Sequence, residues 1–317
     1  MRTLIGALLL ACAAVAQADT TPDALDWLRK IYQGTDKLSY SGTFVYQQGE
    51  STETSRITRL IDANGEVEKL ETLDGTPREI VRTRDAVRCY LPESKTVKVD
   101  RSGGRRGFPA LLPEQLSKVA QNYKITLGEV KRIADYECQA VILMPKDDLR
   151  YGYKLWADTK SGMLLKARTF DEKGRMVEQF TFTMLAIGSV PRETLKPRYS
   201  AQDWRIEDTA VAPINLAELG WSVNGGLPGF QKVDEVKRQL GDAKPVGQIV
   251  FSDGLAAVSV FIEAREGRTE PVRTGLSSMG AIHIYTREVA NHVVTVVGEA
   301  PAASVRRIAD AVEYRPR

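Results

Sequence analysis

Side-chain catalysis needs a nucleophile beside a base, two placed carboxylates, or a cluster of metal ligands. This chain is poor in all three. Its two histidines, His283 and His292, fall in alternating segments near the C-terminal end and read as partly buried strand residues. They are too few for a metal site, and no Gly-x-Ser-x-Gly elbow is present. Asp147-Asp148 and Asp171-Glu172 lie in turns, where carboxylates are solvated. Gly103-Gly104 and Gly225-Gly226 do not sit between a strand and a helix, so neither forms a phosphate cradle. The residues point to a protein that is not an enzyme and carries no cofactor or metal.

Residues suited to binding are better represented. Lys95, Lys98, Arg101, Arg105 and Arg106 gather five positive charges in a short interval that ends at Phe108-Pro109. Charge beside an apolar edge suits an anionic or lipid head group, and a solvated loop is the plainer reading. The run Arg150-Tyr151-Gly152-Tyr153-Lys154-Leu155-Trp156-Ala157-Asp158 alternates as a strand with rings on both faces. Such a strand is covered on both sides or lines a hollow.

These residues must be positioned by elements whose organisation the chain also reveals. The 317 residues, 43% hydrophobic and 27% charged, have ordinary globular composition. Residues 1–18 differ: Arg2, an apolar run from Leu4 to Val15, and Ala16-Gln17-Ala18 form a Sec-type signal peptide cleaved after Ala18. A lipoprotein signal ending at Cys12 is the competing reading. Export implies a periplasmic protein, and its loss of Arg2 leaves a near-neutral balance that argues against nucleic acid as a partner. Cys89 and Cys138 would then meet an oxidising compartment, as a disulfide or as two packed thiols. If strands pair in sequence order, the two lie about three strands, roughly 14 Å, apart, too far for a bridge unless the sheet curls.

A helix starts at Thr21-Pro22-Asp23 and stops at Gly34. From Leu38 the period becomes two, with turns at Asn64-Gly65 and Asp74-Gly75, predicting six antiparallel strands up to Asp100. Leu111, Leu112, Leu116, Val119 and Ala120 predict a short helix. Five more strands follow: Tyr123 to Ile133, Tyr136 to Met144, Tyr151 to Asp158, Leu164 to Phe170 and Val177 to Ile187. Eleven strands exceed what a flat sheet sustains, so curling is expected. The Pro-containing stretch at 196–217 reads as a linker between a large domain, 19–195, and a small α+β domain, 218–317. The small domain should hold strands at Val246 to Ser252, Leu255 to Glu263, Gly280 to Thr286 and His292 to Glu299, then a helix from Pro301.

Several pieces, in this order and spacing, resemble the RseB/MucB family of periplasmic regulators of an envelope-stress sigma factor. They are Arg132-Ile133-Ala134-Asp135-Tyr136-Glu137-Cys138, the Arg150 to Asp158 run, Glu178-Gln179-Phe180, Trp221 with Leu227-Pro228-Gly229-Phe230, Ser252-Asp253-Gly254-Leu255, and Val296 to Pro301 leading to Arg307-Ile308-Ala309. The resemblance implies an α+β fold: a large half-open antiparallel β-barrel with helices, similar to the carriers LolA and LolB, plus the small domain. It implies a negative regulator that binds the periplasmic domain of a single-span anti-sigma factor, RseA- or MucA-like. Such a regulator shields its partner from proteolysis and is released by lipid or lipopolysaccharide fragments. A periplasmic lipid or lipoprotein carrier without regulatory partner is the alternative. Tyr151, Tyr153, Trp156, Phe180 and Phe182 are then expected on the lipid-binding barrel wall or its rim, with the face of each ring left open, Arg101, Arg105 and Arg106 at anionic head groups, and Trp221 and Phe230 near the domain cleft or in the small domain's core. Exposed strand edges leave a homodimer open.

Overall fold

The computed structural model describes residues 22–101, 108–239, 244–265 and 271–316. The expected signal peptide lies outside these, as do Arg105 and Arg106. Among the described residues no helix is long and apolar enough to cross a membrane.

The large unit opens with α1 (Pro22–Lys37), followed by β1 (Tyr40–Gln48), β2 (Ser51–Asp62), β3 (Gly65–Thr72), β4 (Glu79–Thr83), β5 (Val87–Leu91) and β6 (Thr96–Asp100). After α2 (Leu116–Asn122) come β7 (Tyr123–Ile133), β8 (Tyr136–Pro145), β9 (Gly152–Asp158), β10 (Leu164–Phe170) and β11 (Met176–Ile187). The turn at Asn64-Gly65 works because Gly65 holds a φ of 103°, a left-handed conformation that costs glycine little.

The strands do not simply pair in sequence order. β1 pairs with β2 on one side and with β11 on the other, joining two meanders into the order β7-β8-β9-β10-β11-β1-β2-β3-β4-β5-β6. Among the described residues no pairing joins the ends, β7 and β6, and β6 pairs instead with a later strand, so the curled sheet stays open along one seam. This order corrects the expected cysteine spacing. β5 and β8 stand eight positions apart along the sheet, a path of roughly 38 Å at about 4.8 Å per strand, and Cys89 and Cys138 are free thiols, the second fully buried.

One face of this sheet is covered by α1, whose Ala24, Leu28 and Ile31 are completely buried. Burying a leucine or isoleucine contributes about 1.5–3 kcal/mol each. Gly34 lets the helix approach the β9–β10 turn so closely that a Cβ there would lie 2.4 Å from the Gly162 carbonyl carbon. Arg59, buried on the same face, donates to the carbonyls of Thr35 and Asp36 and so caps the helix C-terminus. This is the inner face.

The stretch expected as a linker carries β12 (Arg205–Pro213), which runs parallel to β6 and then antiparallel to β14 (Gln231–Gln239). It makes the sheets of the two units continuous. The second unit adds β13 (Trp221–Val223), β15 (Val246–Ser252), β16 (Ala257–Ala264), β17 (Gly275–Met279), β18 (Ile282–Val289), β19 (His292–Gly298), α3 (Ala302–Asp310) and β20 (Val312–Tyr314). Its core, separate from that of the large unit, is built by Val258, Val260, Val294, Val296, Val305 and Ile308. The whole is α+β, mostly antiparallel sheet.

Candidate functional site

The register decides which side chain faces which side. Leu155 pairs with Ala167 and Val141, Ala167 with Phe180, and Phe180 with Tyr46, so these share the inner face with Tyr153, Thr169, Phe182, Phe44 and Glu178. Trp156 pairs with Lys166 and Ala140, and Lys166 with Thr181, on the outer face. The aromatic residues expected on the barrel wall therefore divide between its two faces. Tyr151, Tyr153 and Phe180 line an inner cavity of about 270 Å³. Phe182 lies deeper, edge-on to Tyr40 and Phe44. Trp156 belongs to the outer face, because side chains one residue apart on a strand point oppositely.

Gly152 is explained by the same alternation. Phe170 on β10 lies directly opposite and covers it, and a Cβ at residue 152 would meet the ring at 2.2 Å.

The cavity has a roof as well as a wall. Phe108 stacks on Phe180 with ring centroids 4.9 Å apart and planes within 11°, and Leu111 and Leu112 complete the segment over the opening. From the second unit Leu255, Ala281, Ile282 and Glu299 close the remaining side. Two carboxylates, Glu178 and Glu299, and no described lysine or arginine line it. Glu178 accepts from the Tyr46 hydroxyl at 2.9 Å and from Thr169 Oγ1 at 3.1 Å. Burial, with a smaller push from Glu299, raises the Glu178 pKa. Burial and then Glu178 raise that of Tyr46, and burial pushes Tyr151 up to about 12. Such a chamber suits an apolar body, and a phosphate would be repelled from it.

A second hollow, a groove of about 910 Å³, lies on the other side of the same roof segment. Leu111 and Leu112 line both spaces. One groove wall comes from α1 and residues 110–115; the other comes from β14, β15 and β16, through residues such as Asp234, Arg238 and Val250.

The units are fastened beside these hollows by a buried charge pair. Arg150, two residues before the start of β9, places Nη1 3.1 Å from Asp253 Oδ2, and both side chains are 0% exposed. Its Nε donates to Asp147 at 3.0 Å and its Nη2 to the Pro228 carbonyl at 2.6 Å. Its guanidinium lies over the rings of Phe230 and Tyr123, at 5.2 and 5.9 Å. Asp253 also accepts from the Tyr123 hydroxyl at 3.2 Å, while its other oxygen takes the backbone N–H groups of Leu255 and Ala256. Every lone pair facing the protein has a donor, the condition under which a buried pair is tolerated. Nearby, Ser304 Oγ donates to the Leu149 carbonyl at 2.8 Å, and the Tyr151 hydroxyl meets His283 Nδ1 at 3.4 Å.

Phe230 thus stands at the junction of the units. Trp221 takes the core place of the two open to it, packed on Tyr314 and His292 at 4.8 and 4.9 Å. Its short strand pairs with β20, which turns the ring inward. Arg101 is exposed and pairs with Asp208 on β12 at 3.4 Å. Arg150, Asp253 and Glu178 stood in the sequence only as parts of a strand edge, a turn and a strand; the one local hint was an arginine opening an otherwise aromatic run.

Two family models match the chain, the MucB/RseB N-terminal domain over residues 23–202 and the MucB/RseB C-terminal domain over residues 215–313. The chain is 29% identical to "Sigma factor AlgU regulatory protein MucB" of Pseudomonas aeruginosa, over 98% of this chain and 96% of that protein. It is 24% identical to "Sigma-E factor regulatory protein RseB" of Haemophilus influenzae, over 97% and 96%. Its structure is similar to that of MucB in the Pseudomonas aeruginosa MucA/MucB complex, with a TM-score of 0.72 and 27% identity, over 93% of this chain and 99% of that one.

Proposed function

The chain belongs to the MucB/RseB family, and from that premise we propose that it is a periplasmic negative regulator of a sigma factor. In this reading it binds the periplasmic region of a membrane anti-sigma factor in the inter-unit groove, shields that region from proteolysis, and lets go when lipid or lipopolysaccharide fragments enter the cavity. Export through the leader at 1–18 and division into domains at 196–217 are parts of the same proposal.

The observation that carries it is the shared roof. The segment bearing Phe108, Leu111 and Leu112 covers the cavity on one side and walls the groove on the other. An acyl chain that wedges beneath Phe108 must move this segment or the second unit, because the cavity is lined by both units. Either movement changes the groove. A ligand shifts such an equilibrium only through its different affinity for the two arrangements, and the partner then opposes the ligand to the same degree. Tyr151, Tyr153 and Phe180 contact the acyl body; Phe182 and Phe230 hold the surrounding frame. Because the cavity wall carries two carboxylates, an anionic head group stays outside it. Arg105 and Arg106 stand within three residues of Phe108 in the chain, which keeps them and Arg101 as candidates for that group.

A cavity alone would serve a carrier equally well; the groove on the far side of its roof favours the regulator. Pull-down with a periplasmic anti-sigma peptide, with and without lipid, separates them. Capture that lipid reverses supports the regulator, and no capture under either condition refutes it.

A further inference from the structure

The outer face of the large sheet carries a feature that neither the cavity nor the groove uses. Trp156, on that outer face, is only 4% exposed. Its cover is cationic. Lys154 Nζ lies 5.0 Å, Lys166 Nζ 5.2 Å and Arg168 Cζ 6.0 Å from the centre of its ring. The register brings them there: Lys154 stands opposite Arg168 and Trp156 opposite Lys166 on neighbouring strands. Lys131 on β7 adds a fourth charge on the same face: it stands opposite Cys138, which stands opposite Asp158, two residues along β9 from Trp156.

The acids do not match these charges. Glu129 pairs with Lys154 at 2.8 Å and accepts the indole N–H at 3.4 Å. Asp158, further along the same strand face, is turned to the backbone and hydroxyl of Ser161 at 2.7 and 2.6 Å. Arg168 spends two donors on the amide oxygen of Gln179 at 2.9 and 2.8 Å. Among the described residues no carboxylate pairs with Lys131, Lys166 or Arg168. Lys166 is half-buried, and burial together with Arg168, Lys131 and Lys154 lowers its pKa. Uncompensated cations over an indole are held together only at an electrostatic cost, which a compact oxyanion would offset with charge-assisted hydrogen bonds.

We propose that Lys131, Lys154, Lys166 and Arg168, arranged around Trp156, form a binding site for a phosphomonoester on the outer face of the sheet. The site takes the phosphoryl group whether it is free or carried on a lipid. Three cations converge on one ring, a geometry for a small polyvalent anion. The indole is buried, so it serves as the floor of the site and does not insert into a bilayer. The proposal stands independently of the regulatory reading.

The test uses the full mature chain with two probes: inorganic phosphate in equilibrium dialysis, and flotation with vesicles of phosphatidylcholine containing or lacking phosphatidic acid. Saturable phosphate binding identifies the phosphoryl group itself as sufficient; capture by phosphatidic acid vesicles without it assigns the lipid as the source. In either case Lys166→Gln and Arg168→Gln should weaken binding by about tenfold or more, and Lys131→Gln, at an exposed position that does not endanger folding, by severalfold. Lys37→Gln, at the exposed end of α1, controls for net charge and should change nothing. No binding to either probe, or binding indifferent to all three outer-face substitutions, overturns the proposal.

Discussion

Replacing Arg150 by methionine tests whether the buried charge pair is what fixes the two units together. The substitution keeps an unbranched apolar stem over Phe230 and Tyr123 but removes the donors to Asp253, Asp147 and the Pro228 carbonyl. Asp253, 0% exposed, is left with the Tyr123 hydroxyl and two backbone donors and no countercharge. Breaking a buried pair from one side costs about 3–5 kcal/mol, most of a marginal domain's stability. Asp253→Asn should cost a similar amount, because its amide turns a donor toward the guanidinium while the remaining oxygen can still hold the turn at Leu255 and Ala256. If the pair is the fastening, Arg150→Met with Asp253→Asn will cost less than the two singles together by about 2 kcal/mol, a coupling of the size seen between contacting groups. Urea unfolding followed by both tryptophan fluorescence and far-ultraviolet circular dichroism reads it out. The variants should also split one transition into two, since the second unit has its own core. Additivity within about 0.5 kcal/mol, or a single loss below about 1 kcal/mol, far short of the cost of a broken buried pair, would refute the reasoning.

Other expectations are simpler. Glu178 has its folded pKa raised by burial, so its contribution to stability is present below its ordinary value of 4.5 and is lost as pH rises through the higher folded value. In Glu178→Gln that decline above pH 4.5 should be missing from a series of urea midpoints; an unchanged slope rules the assignment out. Gly34→Ala pushes a Cβ to 2.4 Å from the Gly162 backbone, whereas Gly152→Ala meets only the Phe170 ring at 2.2 Å. The first should lower stability by about 3 kcal/mol and the second by about 1 kcal/mol, and the reverse order in thermal melts would show that the ring is the harder obstacle. Ala167→Leu fills the inner cavity and should cut capture of a fluorescent fatty acid at least fivefold without weakening the anti-sigma peptide. Equal fatty-acid capture would place the lipid elsewhere.

How much of this was legible in the sequence depends on which face of an element a residue occupies. Strands with one face in the core, such as β2 with Ser55 and Ile57 and β10 with Leu165, Ala167 and Thr169, announce themselves by alternation. The strands β12, β14 and β17 do not, because they present mostly exposed residues on both sides, and β17 is exposed throughout. Order in the sheet was also hidden: the β1–β11 pairing joins residues 40–48 to 178–187, a distance along the chain that no local pattern reports. The aromatic run at β9 showed that two faces were in use but not which ring went where; that required the register with β10. Nothing local marked Arg150 and Asp253 as buried, because their burial depends on the second unit's approach, which composition does not encode. For Trp221 the sequence left cleft and core open, and the pairing with β20 that places it in the core is again a contact between segments far apart in the chain.

The central claim is that lipid and anti-sigma segment bind to opposing arrangements of the two units through one shared roof. Its most direct test is a thermodynamic cycle by calorimetry on the mature chain: affinity for a periplasmic anti-sigma peptide with and without a micellar lipopolysaccharide fragment, and affinity for the fragment with and without the peptide. The account predicts that each weakens the other by the same factor, between about 5 and 150. Peptide affinity that is identical in the presence of saturating fragment, with both ligands bound at once, would contradict it.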